Sequence, residues 1–279
     1  MNADRNIKLI ATDLDGTLLD SDMGLSPENR EALERCGAAG ICVVIATGRS
    51  KTSVPECVLD LACIDYLVCA NGAKIYDAHT GKQIYAKCLT REAVENVREI
   101  IENPEVMCEV FWDGSPYISE TCYGDLTRYG IPGWVVEYVR ESRIPVPDIA
   151  AFARAHIDEI ENINFVYGNE DLRDWIYRRL HGNTLYTLTT SMRYNLEIGG
   201  IGVSKASALE FLCDALDIDA RETLCIGDND NDARMLQFAG IGVATDNASA
   251  AAKVAADVVT LSNNEAGVAF ALEMFCNKK

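Results

Sequence analysis

Two aspartates, Asp13 and Asp15 in the segment TDLDGT, stand directly after a short apolar run. In a chain still extended at the end of a strand, residues i and i+2 point to the same side, so both carboxylates face one space. Gly16 then lets the backbone turn away. Taken alone, such a segment is also an ordinary acidic turn, because Asp and Gly are common turn residues. A second acidic segment, GDNDNDARML, places Asp228, Asp230 and Asp232 at alternate positions after another apolar run. It reads as a surface turn, a calcium loop or one wall of a metal site. A calcium loop starting at Asp228 wants glycine at its sixth position and glutamate at its twelfth, and these are Ala233 and Ala239, which excludes that reading.

Adjacent carboxylates stay ionised together only where cations offset them. A divalent ion and Lys205, at the predicted start of a helix in GVSKASAL, are the candidates. Thr47-Gly48 follows the apolar run ICVVIA, and Asn71-Gly72 follows YLVCA. Four polar motifs thus stand at the ends of four predicted strands. In open parallel sheets ligands bind outside the carboxyl ends of the strands, so such endings converge on one crevice.

The elements that position these residues follow an alternating grammar. Strand 7–12 precedes a helix with Ser26 as N-cap and Pro27 in its first turn. Strand 41–46, a helix around 51–61 and strand 66–70 follow, an order that implies a parallel sheet covered on both faces. The grammar returns after about 190: helix 204–216, strand 222–227, helix 231–238, then shorter strands and helices to about 275. Between them lie strand pairs such as CEVFWDGSPYIS, with Asp113-Gly114 as the turn signal, mixed with helices near 91–102 and 171–181. The expected fold class is therefore α/β, a doubly wound, Rossmann-like parallel-sheet core at 1–84 and 190–279 with an inserted α+β cap domain at 85–189.

A chain of 279 residues, 48% hydrophobic, supports a sizeable core. A net charge of −18 argues against nucleic acid or an anionic membrane as partner, through long-range repulsion. Eleven scattered cysteines without a C-x-x-C pair read as reduced core thiols in a cytoplasmic, soluble protein. No run approaches a membrane span. Oligomeric state is not readable from the sequence.

The segments DLDGTLL, VIATGR, ANGA, LEIGGIGVSKASAL, GDNDNDARML and NASAAAKVAADVVTLSNNEAGVAFAL resemble the successive motifs of the haloacid-dehalogenase-like phosphatases. Within them they resemble the Cof-type branch, whose α/β cap lies between the second and third motifs. The resemblance implies a phosphoric monoester hydrolase acting on small phosphorylated metabolites, such as a sugar phosphate or a phosphorylated cofactor. It implies Asp13 as the nucleophile that forms an aspartyl-phosphate, and Asp15 as the general acid and then the base that activates water. Thr47, Gly48, Lys205, Asn231 and the backbone amide of Leu14 would hold the phosphoryl oxygens. Mg²⁺ would be bound by the Asp13 and Asp228 side chains and the main-chain carbonyl of Asp15, with Asp232 in support. Phosphoryl transfer needs in-line positioning and charge neutralisation, and hard oxygen ligands suit Mg²⁺.

Asn71, Asp113 and Tyr117 are the candidate substrate contacts, with Trp112 nearby, while Asp230 is left to cap the following helix. Two positions depart from the family pattern: Ala206 replaces a glycine after the lysine, and Asp246 stands at a glycine position in ATDNA, where it would narrow the pocket, repel an anionic substrate or, as the favoured expectation, tolerate a positive φ. A phosphomutase using the same intermediate, and a non-catalytic phosphometabolite-binding protein, are the alternatives. A protein that only binds would not need Asp15.

Overall fold

The computed structural model describes residues 6–131, 133–191 and 194–276. The sequence reading of the first few residues, 1–5, lies outside them. The first strands are β1 (Leu9–Thr12), β2 (Cys42–Ala46), β3 (Tyr66–Cys69), β4 (Lys74–Asp77) and β5 (Gln83–Ala86). A middle group follows: β6 (Met107–Trp112), β7 (Ser115–Ser119), β8 (Ile144–Val146), β9 (Asn162–Val166), β10 (Tyr186–Thr189) and β11 (Asn195–Gly200). The last are β12 (Thr223–Gly227), β13 (Ile241–Ala244) and β14 (Val258–Val259).

They form two sheets, which separate into two compact units: residues 1–48, 54–85 and 204–279, and residues 49–53 and 86–203. The first unit holds an eight-stranded sheet in the order β14-β13-β12-β1-β2-β3-β4-β5. From β14 to β3 neighbouring strands are parallel, and β4 turns back antiparallel on β3. The chain winds from β1 through β2 to β3 in one direction and from β12 through β13 to β14 in the other. The reversal of strand order at β1 is a topological switch point, where the carboxyl ends of the strands leave a crevice.

Period-two alternation explains the burial of both faces. Ile10, Val43, Ile45, Leu224, Ile226 and Val243 pack on one side, with the helices Pro27–Ala38 and Gly267–Cys276. Leu9, Ala11, Val44, Ala46, Val68 and Cys225 pack on the other, with the helices Lys205–Leu216 and Ala233–Phe238. A sheet covered on both faces needs such near-continuous apolar strands.

The second unit is a six-stranded sheet in the order β10-β11-β9-β6-β7-β8. Asp113 (φ 47) and Gly114 (φ 73) make the left-handed turn between β6 and β7, as the Asp-Gly pair predicts. Val110, Ile163 and Phe165 pack against the helices Ile149–Ala155 and Glu170–Leu180. On the opposite side buried Glu109 takes a 2.7 Å ion pair from Arg143 and a 2.8 Å hydrogen bond from Asn164 Nδ2.

Two boundaries differ from the sequence reading. The segment LEIGG, assigned there to the core beyond 190, forms β11 and pairs antiparallel with β9 and β10, so the second unit extends to Val203. The helix expected around 51–61 is a 3₁₀ turn at Lys51–Ser53 and a single α-turn at Glu56–Leu59, because Pro55 cannot donate within a continuous helix.

Candidate active site

The carboxyl ends of β1, β2, β3 and β12 deliver the polar residues. Asp13 continues β1, its amide donating to the Ile226 carbonyl at 3.0 Å, so the chain is still extended where the carboxylate projects. Thr47 continues β2, its amide donating to Val68 O at 2.8 Å. Asn71, in a left-handed conformation (φ 54, ψ 26), donates its amide to Thr47 O at 3.1 Å.

Lys205 is the first residue of its helix, behind the N-cap Ser204, whose side chain and that of Ser207 cap each other's backbone amides. Its ammonium is fully buried and donates to Asp13 Oδ1 and to Asp232 Oδ1, each at 2.6 Å. A lysine is rarely so deep unless paired. Burial alone would lower its pKa, but the two carboxylates outweigh burial and raise it, so the ammonium is charged.

The acidic segment after β12 divides its work unequally. Asp232 is fully buried, with Oδ2 accepting the amides of Asp228 and Asn229 at 3.0 Å and Oδ1 taken by Lys205. Asp228 accepts the Thr17 hydroxyl at 2.7 Å. Asn231 Nδ2 donates to Asn71 Oδ1 at 3.0 Å, and Asn231 Oδ1 is buried with no partner among the described residues. Asn229 caps the 3₁₀ turn Asp230–Asp232, its side chain accepting the Asp230 amide, and Asp232 stands at the cap of the following helix Ala233–Phe238. This corrects the sequence assignment of that role to Asp230, whose exposed carboxylate instead accepts the Ser249 hydroxyl at 2.7 Å.

Close approach between these loops depends on two glycines. At Gly16 (φ +80) a Cβ would lie 2.5 Å from Asp228 Oδ2, and at Gly72 (φ +101) one would lie 2.2 Å from the Ser204 carbonyl oxygen. Gly72 therefore lets the β3 loop seat against the backbone that begins the Lys205 helix.

The site is short of positive charge. Burial pushes the Asp13 carboxyl well above its usual range; Lys205 pulls it back, and Asp232, Asp228 and Asp15 push it up again. Burial, then Asp232, pushes Asp228 up to about 6, against the Thr17 hydrogen bond and Lys205. Carboxylate oxygens of Asp13, Asp228 and Asp232 lie within 4.8 Å of one another, a set that could hold a metal ion. Excess buried carboxylate around one ammonium is the electrostatic environment that a divalent cation relieves.

Sequence reasoning did not single out Thr17, Gly72 as a contact residue, or Asn247. Asn247 Nδ2 donates to Gly16 O at 2.8 Å, and its Oδ1 accepts the Asn263 amide at 2.9 Å, tying the DLDGT loop to the last loop of the unit. The ATDNA segment carries the only cue, its Asn lying beside the departing Asp246. Asp246 is not among the described residues with positive φ, contrary to the sequence expectation. Its exposed carboxylate instead lies 3.7 Å from Lys253. Nothing in the structure accounts for Ala206. Asp113 and Tyr117 belong to the second unit, where Tyr117 stacks on Phe152 with ring centroids 4.3 Å apart and Trp112 stands 5.9 Å away.

A doubly wound parallel sheet with an acidic cluster and a buried lysine at its switch point offers a metal and an anionic group a shared crevice, and comparison with known proteins names the family. The family profile of haloacid dehalogenase-like hydrolases matches residues 10–272, and the chain belongs to that family. Phosphatase YwpJ of Bacillus subtilis (strain 168) is 32% identical over 280 residues, covering 94% of this chain and 98% of its own. The 5-amino-6-(5-phospho-D-ribitylamino)uracil phosphatase YcsE of the same strain is 29% identical, covering 96% of each chain. A solved haloacid dehalogenase-like hydrolase from B. subtilis superposes with a TM-score of 0.83 at 28% identity, covering 98% of this chain and all of its own. The protein is thus a phosphoric monoester hydrolase that acts on phosphorylated small molecules. Among the described residues no helix is long and apolar enough to cross a membrane.

Proposed function

We propose that the chain hydrolyses a small phosphomonoester, a sugar or polyol phosphate or a phosphorylated cofactor, through an aspartyl-phosphate on Asp13 with Mg²⁺ as cofactor. The observation that carries this reading is the buried Lys205 ammonium, 2.6 Å from both Asp13 and Asp232. It sits in a cluster where burial and neighbouring carboxylates raise both Asp13 and Asp228. Such a cluster is costly unless a cation and a phosphoryl group use it.

Asp13 attacks phosphorus in line, the ester bond to the leaving oxygen breaks, and Asp15 supplies that oxygen with a proton. Asp15, now a carboxylate, takes a proton from the water that attacks the acyl phosphate. Phosphate leaves and Asp13 is regenerated. Lys205, the Leu14 and Gly48 amides, Thr47 and Asn231 hold the phosphoryl oxygens, and the hydrogen bond from Asn231 Nδ2 to Asn71 Oδ1 fixes which way the Asn231 carboxamide presents its donors.

Mg²⁺ would be held by the Asp13 and Asp228 carboxylates and the Asp15 carbonyl, and when bound would neutralise charge on the phosphoryl group. Asp232 is a poorer ligand in this reading because both its oxygens already accept hydrogen bonds. A polyol phosphate is favoured by the ribityl phosphate named for the relative YcsE. Asp113 and Tyr117 are the first residues outside the carboxylate cluster to test for an effect on substrate choice. The test is phosphate release from an aryl phosphate and a panel of phosphorylated sugars, polyols and cofactors. Release that requires Mg²⁺ and vanishes in Asp13→Asn supports the reading; release that persists in Asp13→Asn overturns it.

A further inference from the structure

The helices Pro27–Ala38 and Gly267–Cys276 pack side by side on one face of the first sheet. Their contacts give their register. Asn29 Oδ1 accepts the Ala269 amide at 2.9 Å, and Arg35 reaches Glu273 at 3.7 Å. The same seven-residue step leads from Asn29 to Cys36 and from Ala269 to Cys276. Parallel helices advance together by about 1.5 Å per residue, so this register brings the two cysteines level. Cys276 packs there against the buried cluster that contains Cys36. Cys36 is buried, and Cys276 is half-buried at the end of its helix.

We propose that Cys36 and Cys276 are an oxidisable pair that a peroxide converts to a disulfide, tying the last helix of the unit to its first. The hydrogen bond from Cys276, with Arg35 nearby, holds the Cys36 thiol below its usual range against the effect of burial. A lowered pKa raises the thiolate fraction, the form that reacts with peroxide. The Cys36 thiolate attacks one oxygen of hydrogen peroxide, the O–O bond breaks, and hydroxide leaves with Cys36 as a sulfenic acid. The Cys276 thiol then attacks that sulfur, the S–O bond breaks, and water departs carrying the Cys276 proton. The two sulfurs together lose two electrons and the peroxide oxygens gain them.

Neither residue belongs to the carboxylate site, so this inference stands apart from the proposed reaction. The closed loop spans nearly the whole chain, and long loops give the largest entropic stabilisation in the chain-entropy account. The test treats the full chain with hydrogen peroxide, alkylates the remaining thiols and maps tryptic peptides without reduction. Peptide 36–49 should be found linked to peptide 254–278. Tm should rise by roughly 5–10 °C and fall back with dithiothreitol. Cys36→Ser and Cys276→Ser should each abolish link and rise, and Cys42→Ser, in the same peptide as Cys36, should keep both. A link from Cys276 or Cys36 to Cys63 or Cys42 instead, or oxidation of the wild type without any link, would overturn the proposal; the wild-type map needs no variant to fold.

Discussion

Replacing Lys205 by methionine keeps most of the side-chain volume and removes one charge. The ammonium is fully buried and donates 2.6 Å hydrogen bonds to Asp13 and Asp232. Its loss leaves two buried carboxylates with no cation. Breaking a buried ion pair from one side costs about 3–5 kcal/mol. For a chain of this size that is a fall in Tm of roughly 6–15 °C. The wild type keeps the whole contribution of Lys205 below the ordinary lysine pKa of about 10.4. It loses that contribution only as pH rises through the higher folded value. The variant's deficit should shrink towards pH 4, where Asp13, its carboxyl raised by burial, takes up a proton. Urea unfolding followed by circular dichroism, on Lys205→Met, Asp232→Asn and the double variant, measures both terms. The second substitution should recover about 1–3 kcal/mol of the loss from the first. A deficit in Lys205→Met below about 1 kcal/mol, or additivity within about 0.5 kcal/mol, would refute the claim that this lysine holds the cluster together.

Three further outcomes follow from the same geometry. With metal chelated, Asp228 has a folded pKa of about 6 against an ordinary value of 3.8. Its contribution is therefore present below about pH 4 and lost as pH rises through about 6, at most about 3 kcal/mol. Thermal melts across pH 4–7 should show this loss, with Mg²⁺ reversing it at pH 7 and Asp228→Asn flattening it; a chelated protein most stable at neutral pH would contradict it. Gly72→Ala should destabilise by roughly 2–4 kcal/mol in urea melts, since its Cβ would stand 2.2 Å from the Ser204 carbonyl; a neutral effect would mean the two loops are not so closely seated. Thr17→Val removes the 2.7 Å hydrogen bond to Asp228 and should raise the Mg²⁺ concentration for half-maximal activity about 10–100-fold, read from metal titrations at saturating substrate.

Much of the core was legible because local signals and tertiary need coincide there. An apolar run ending in a polar motif is both a strand signature and the means by which a parallel sheet presents Asp13, Thr47, Asn71 and Asp228 at one edge. Legibility failed where the deciding partner is distant in sequence. The run LEIGG looks like any core strand, and only its pairing with β9 and β10 assigns it to the second sheet. Thr17 gains its meaning from a residue 211 positions away, and Gly72 from the carbonyl before Lys205. Within GDNDND, Asp and Asn are equally good caps, so the sequence could not tell that Asn229 caps the 3₁₀ turn and Asp232 stands at the helix cap while Asp230 accepts from Ser249. The expectation for Asp246 failed because a family glycine need not mark a positive φ; here the chain turns without one.

The central claim is that Asp13 is the nucleophile. Protein turning over a phosphomonoester should be quenched in acid within the first turnovers, digested with trypsin and analysed by mass spectrometry. A hydroxylamine-labile phosphoryl group on peptide 9–30, localised to Asp13 and absent from Asp13→Asn, is the predicted result. Full turnover with no phosphorylated peptide, together with phosphate release from Asp13→Asn, would contradict it.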